Sequence, residues 1–254
     1  MTGWTLRGWL KSLLSTRKRA FRTADKAIGT LKGCLFKALD LGSLHFRNPT
    51  AHKWKAPYRS MQLREVVHWR MTDLLDQAVV LQKHDHVLGA RILLRSAFET
   101  LAMLIYLNQQ MTKVLDGTLS FHAFSRKTEV LLLSSKDGST PLSAINVLTI
   151  LDDCDKRYKG IRKMYGRLSE SAHPNYSGMS KGYTEIDHER DTVLFKNRWS
   201  EMYAANFEDE VMLCVEIFTH EYDQIWAELF EQLEEWIEAQ DATLEATKND
   251  ALPK

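Results

Sequence analysis

The sequence predicts an all-α protein built as a multi-helix bundle, and three observations carry that prediction. Helix-breaking residues are scarce, with 5 Pro and 12 Gly in 254 residues. That is about 7% of the chain against roughly 12% in average usage, which disfavours disordered, collagen-like and turn-rich all-β chains. A 44% hydrophobic share beside 26% charged residues is ordinary for a globular chain long enough to bury a sizeable core. Long windows also repeat apolar residues at the i, i+3, i+4 spacing of an amphipathic helix.

The elements follow in order. Leu6, Trp9, Leu10, Leu13 and Leu14 predict a first amphipathic helix in a basic segment. A surface helix packed on the protein body, an RNA-binding arm and a membrane-surface helix all fit it. The apolar run Trp9–Leu14 is broken by Lys11 and Ser12, which does not suit a secretory signal. Residues 42–59, with Gly42, Pro49 and Pro57, show little periodicity and read as a connector. From about Ser60 to Lys83, Leu63, Val66, Val67, Arg70, Leu74, Leu75 and Val79 fall towards one face of a helix. A polar break at His84-Asp85-His86 precedes the strongest helix, Val87–Gln110, and another covers Leu119–Ser134. Asp137-Gly138-Ser139-Thr140-Pro141 is a turn, and residues 141–172 hold one or two further helices. Residues 174–198 read as irregular or weakly β. A last long helix runs from about Ser200 to Gln240, with 241–254 as a frayed tail. The expected organisation is a basic N-terminal extension and connector (1–58), a helical domain (59–240) and a flexible tail (241–254).

Several classes are disfavoured. Three widely spaced cysteines form neither a disulfide framework nor a zinc cluster, so a reducing compartment, the cytoplasm, is expected. No 18-residue uncharged apolar stretch occurs, so no transmembrane helix is expected. There is no Gly-rich phosphate loop, no G-x-S-x-G elbow and no H-E-x-x-H. Two Glu-x-x-His pairs, Glu65/His68 and Glu185/His188, have the spacing of di-iron ligands but are only a mild excess over chance. Neither a metal nor a cofactor is expected.

The net charge of +1 hides a polarity. Residues 1–40 carry a net +7, residues 201–254 a net −13, and the middle +7. Such asymmetry suits a nucleic-acid or membrane arm, or pairing within or between subunits. It also suggests an acidic helix that shields a basic surface.

Chemistry is concentrated in two places. The segment Ile92–Leu107 is apolar almost all round, yet holds Arg95 and Glu99 four residues apart on one face, with Arg91 one turn earlier. Buried charges require partners, so the pair either fixes the bundle register or lines a polar site, with Glu99 orienting Arg95. Later in the chain, Tyr165, Ser169 and His173 lie within about 80° of one another on an ideal helix that Pro174 terminates. Arg167 lies about 120° from His173, so the two would flank a groove rather than touch.

At these residues the chain resembles a known superfamily. Arg167 and His173, with five intervening residues, are similar to the R-x(4–6)-H signature of HEPN domains, helical-bundle ribonucleases of toxin–antitoxin, abortive-infection and CRISPR-associated systems. Arg95-Ser-Ala-Phe-Glu99 followed by Tyr165-x3-Ser169-x3-His173-Pro174-Asn175 also resembles an uncharacterised bacterial HEPN-like branch, often found near defence genes. The resemblance spans roughly residues 60–235. Leu168, where active members commonly carry a polar residue, and Pro174 depart from the pattern.

The resemblance implies metal-independent endoribonuclease activity at the cleft of a homodimer, with RNA as substrate. His173 is then the general acid or base, and Arg167 or Arg95 stabilises the phosphorane. Tyr165, Ser169 and Asn175 position the phosphate or the imidazole. The alternative is a non-catalytic interaction or sensor module of a defence complex. In that reading the acidic C-terminal helix docks a partner protein through Trp226, Leu229, Phe230, Leu233, Trp236 and Ile237.

Overall fold

The structure, a computed structural model, describes residues 23–249. The amphipathic Leu6–Leu14 segment lies outside them. The described chain is all-α apart from one two-stranded hairpin, as the periodicity predicts.

The connector expected over 42–59 is instead helical. After α1 (Ala24–Gly33) come α2 (Leu41–Arg47) and α3 (Pro49–His52), and α4 (Lys55–Lys83) already begins at Lys55. Local chemistry explains these short helices better than periodicity does. Asp40 caps α2 by accepting from the Gly42 and Ser43 N–H groups, and Asn48 caps α3 ahead of Pro49. Pro57 sits in the first turn of α4, where N–H groups lack intrahelical acceptors in any case, so it costs the helix little.

The break before α5 (Val87–Leu115) is closed by Asp85 in a left-handed conformation. Helix α6 (Phe121–Leu133) starts at Ser120, whose Oγ accepts from the Ala123 N–H. Residues 141–172 resolve into α7 (Val147–Arg157) and α8 (Ile161–Ala172), hinged at left-handed Gly160. Asp155 Oδ1 accepts from the Gly160 and Arg162 N–H groups, at 2.9 and 3.2 Å, and anchors the start of α8.

Beyond α8 come α9 (Ser180–Tyr183) and the antiparallel strands β1 (Thr184–Asp187) and β2 (Thr192–Phe195), with Thr184 opposite Phe195. The last long element is α10 (Trp199–His220), a π-helical turn at Glu221–Ile225 and α11 (Trp226–Thr247). The expected tail is therefore shorter. Residues 241–247 stay helical because Leu244 is buried and Lys53 reaches Asp241 and Glu245 at 2.7 and 3.0 Å.

The described chain divides into two compact units. One comprises the described residues up to Cys34 with Arg70–Leu101 and Leu151–Glu216. Its core includes Leu75, Leu94, Phe98, Leu168, Phe207 and Cys214, all fully or almost fully buried. The other comprises Leu35–Trp69, Ala102–Ile150 and the described residues from Ile217 onwards. Its core includes Leu104, Phe124, Phe218, Phe230, Leu233 and Ile237. The apolar side of α11 is thus used within its own unit, which leaves its charged side outward.

The acidic helix also finds basic partners inside that unit. Glu234 is buried against His52 Nε2, at 2.6 Å, and against the Arg47 guanidinium. In the π turn, the Glu221 carbonyl and carboxylate both accept from the buried Asn108 amide, at 3.1 and 2.7 Å. A π turn loosens the helical ladder, and a side-chain donor here occupies the freed carbonyl.

Candidate functional site

The site is built in the first unit from the N-terminal half of α5 and the last two turns of α8. Arg95 donates from Nη2 to Tyr165 Oη at 2.6 Å and from Nε to Ser169 Oγ at 3.2 Å. Tyr165 Oη donates to Glu99 Oε1 at 2.9 Å, and Arg95 Nη2 lies 3.1 Å from the same oxygen. Ser169 Oγ lies 3.4 Å from His173 Nε2. Glu99, Tyr165, Arg95, Ser169 and His173 therefore form one continuous polar chain, ending at an exposed imidazole. Burial, and next the Glu99 carboxylate, push the Tyr165 phenol above its ordinary range. Tyr165 thus remains a neutral donor to Glu99.

The expectation of a deeply buried Arg95–Glu99 pair needs correction. Their side chains are 23% and 26% exposed. The buried charge of the central helix is Arg91, one turn earlier and 3% exposed. Its Nε donates to Ser171 Oγ at 2.9 Å, its Nη2 to the Arg167 carbonyl at 3.2 Å and its Nη1 to Glu210 Oε2 at 3.4 Å. The guanidinium also stacks 3.9 Å from the centroid of Tyr203. Periodicity placed Arg91 on the same stripe as Arg95. The deeper burial falls to Arg91 because α8 and α10 both close over that turn.

Arg167 does not join His173. Its side chain is 58% exposed, with Nη2 3.1 Å from Met164 Sδ and 3.9 Å from Glu210 Oε1. The angular separation expected on an ideal helix persists, so Arg95 rather than Arg167 shares the polar chain with the imidazole.

His173 itself ends α8 with extended backbone, as a residue before proline must. Asn175 shapes the turn behind it. Its N–H donates to the His173 carbonyl at 2.8 Å, its Oδ1 accepts from the Gly178 N–H at 2.9 Å and its Nδ2 donates to Glu170 Oε2 at 2.7 Å. Both ends of the amide are thus spent on the loop. Asn175 positions His173 through the backbone instead of reaching the imidazole, as had been expected. Gly178 completes the turn, since a Cβ there would lie 2.0 Å from the His173 carbonyl oxygen.

The two Glu-x-x-His carboxylates are engaged elsewhere. Glu65 accepts from Tyr222 Oη at 2.9 and 2.8 Å, and Glu185 pairs with Lys196 at 2.5 Å. Among the described residues no group of three or more His, Cys, Asp or Glu is placed to hold a metal ion. No described helix is long and apolar enough to cross a membrane.

Sequence reasoning missed Glu210, Tyr203 and Gly178. Glu210 reaches Arg91 across 119 positions, and no local spacing signals such a contact. Gly178 lies in the pattern break after Pro174, but its need for close backbone approach emerges only from the folded turn.

Residues 66–181 are similar to the model of a family of unknown function (DUF5677), and that span holds Arg91, Arg95, Glu99, Tyr165, Ser169 and His173. Neither a curated protein nor a solved structure matches the chain.

Proposed function

We propose that the polar chain is a phosphodiester site and that the protein is a metal-independent endoribonuclease. It would act in the cytoplasm as an effector of a bacterial defence or toxin–antitoxin system, with two copies facing their sites across one cleft. The observation that supports this most is the exposed His173 imidazole and the half-buried Arg95 guanidinium meeting at Ser169 Oγ. One group there can move a proton, and the other can stabilise charge developing on phosphorus. The similarity of Arg167…His173 to the HEPN signature adds to the reading.

In the reaction, His173 accepts the proton of the ribose 2′-OH as that oxygen attacks phosphorus, or donates one to the departing 5′-oxygen. The products are a 2′,3′-cyclic phosphate and a 5′-OH end. Arg95 donates to the non-bridging oxygens of the phosphorane. Tyr165 and Glu99 hold the guanidinium in that attitude before substrate arrives, so little reorganisation accompanies the transition state.

The test is to incubate purified wild type, His173→Ala and Arg95→Ala with total RNA in EDTA, and to score growth on expression. Wild type should cleave and arrest growth. His173→Ala should lose about 10²–10⁴-fold and Arg95→Ala about 10²–10³-fold. Intact RNA with wild type, or undiminished cleavage by His173→Ala, overturns the reading.

One observation favours a second reading. Leu168, next to the motif arginine, is fully buried in the core, so that position serves packing instead of chemistry. A non-catalytic sensor or interaction module would then use the polar chain to hold a ligand. Its partner protein would meet the charged outer side of α11, because the apolar side is already covered.

A further inference from the structure

Beside α8 lies a cavity of about 300 Å³ lined by Arg91, Arg167, Glu170, Tyr203, Asn206 and Glu210, among others. Its chemistry is mixed, unlike the simple positive charge a phosphate needs. The Glu210 carboxylate is only 13% exposed, and its ion contacts are long, 3.4 Å to Arg91 and 3.9 Å to Arg167. Arg91 is committed to Ser171 Oγ, the Arg167 carbonyl and the face of Tyr203. The Arg167 side chain is largely exposed, whereas the Glu210 carboxylate is recessed. Burial holds the Glu210 carboxyl above its ordinary range although two arginines oppose that shift. Its oxygens are therefore short of strong donors.

We infer that this cavity is a base-recognition subsite for guanine. The inference rests on the ribonuclease reading only for its place beside a scissile phosphate. A recessed carboxylate beside an exposed guanidinium offers a bidentate acceptor next to a donor. Guanine presents the complement, with two adjacent donors (N1–H and N2–H₂) beside the O6 acceptor. Cytosine, adenine and uracil each offer the deep carboxylate a single donor group on that edge. The location suits a base next to the reacting phosphate. Glu170, on the cavity wall, directly follows Ser169 of the polar chain, and Ser177, also on the wall, lies in the turn that follows His173.

The test is isothermal titration of the full chain with GMP, AMP, CMP and UMP, repeated with Glu210→Gln and Arg167→Gln. GMP should bind about tenfold or more tightly than the other three. Glu210→Gln should bring the four to near parity, since an amide accepts at one atom only. Arg167 is largely exposed and its side chain reaches only Met164 Sδ and, at 3.9 Å, Glu210, so Arg167→Gln should weaken GMP binding in a folded protein even if Glu210→Gln unfolds. Equal binding of the four nucleotides, no binding, or a guanine preference that survives both substitutions overturns the subsite. RNA cleavage is scored separately. Guanine preference without cleavage keeps the subsite and removes the nuclease, and cleavage without guanine preference does the reverse.

Discussion

Arg91 carries the greatest structural consequence of any single charge in the first unit. Its guanidinium is withdrawn from water and compensated by Ser171, the Arg167 carbonyl, Glu210 and the Tyr203 ring. Truncation would leave Glu210 buried with only the distant Arg167 as counter-charge. Arg91→Ala should therefore cost about 3 kcal/mol or more in urea unfolding. Arg95→Ala, from a position about one quarter exposed, should cost markedly less and act mainly on RNA cleavage. Tyrosines set an alkaline limit. Burial raises the phenols of Tyr165 and Tyr222, with Glu99 adding to the first and Glu65 to the second. The folded state thus holds these protons more tightly than the unfolded chain. Stability should be undiminished below the ordinary tyrosine range of about pH 10 and should fall as pH rises through it. Tyr222→Phe should flatten that fall in thermal unfolding measured from pH 8 to 11, and an unchanged slope would show that Tyr222 is not its source.

At the scale of elements, α8 and the turn behind it divide two kinds of glycine. Gly166 lies within α8 with nothing near the position of an added Cβ, whereas a Cβ on Gly178 would enter the His173 carbonyl. Gly166→Ala should raise stability by about 0.5–1 kcal/mol through helix propensity alone. Gly178→Ala should instead open the turn, at a cost of about 1–3 kcal/mol, and reduce RNA cleavage by moving His173. Thermal unfolding and RNA cleavage of the two variants side by side decide the point, and equal behaviour would dissociate the turn from the site. Helix existence was legible here. The Tyr165, Ser169, His173 stripe follows from 3.6-residue periodicity, and the end of α8 follows from Pro174. The short helices α2 and α3 were not legible, because they rest on the Asp40 and Asn48 caps and carry no apolar repeat. The π turn was equally hidden, since Asn108 meets the Glu221 carbonyl from 113 positions away.

At the scale of the molecule, several charges of the described residues are met by local pairings. Acidic residues of α11 meet Arg47, His52 and Lys53 in one unit, and Glu210 of α10 meets Arg91 and Arg167 in the other. Acidic side chains thus pair with individual basic groups within each unit, while most of the basic N-terminal segment lies outside the described residues. Among the described cations at the site, Arg95 and Arg167 are the ones this reading offers to a polyanion. RNA binding should accordingly show a shallow salt dependence. The slope of log K against log[salt] should be about −1 to −2 for a single strand, read by fluorescence anisotropy between 50 and 200 mM salt. A steep slope would point to a wider basic surface than this site provides.

The sequence by itself determined the all-α class, most helix positions and the alignment of Tyr165 with Ser169 and His173 on one face. All of these depend on periodicity and on residues a few positions apart. Tertiary structure decided which arginine is buried, that Arg95 and not Arg167 is linked through Ser169 to the imidazole, that Glu210 and Arg167 line one cavity, and that the described chain forms two units from interleaved segments. The physical reason is the range of the interactions. Helix propensity, capping and proline act within a turn or two, whereas burial and ion pairing depend on which distant helix closes over a given face.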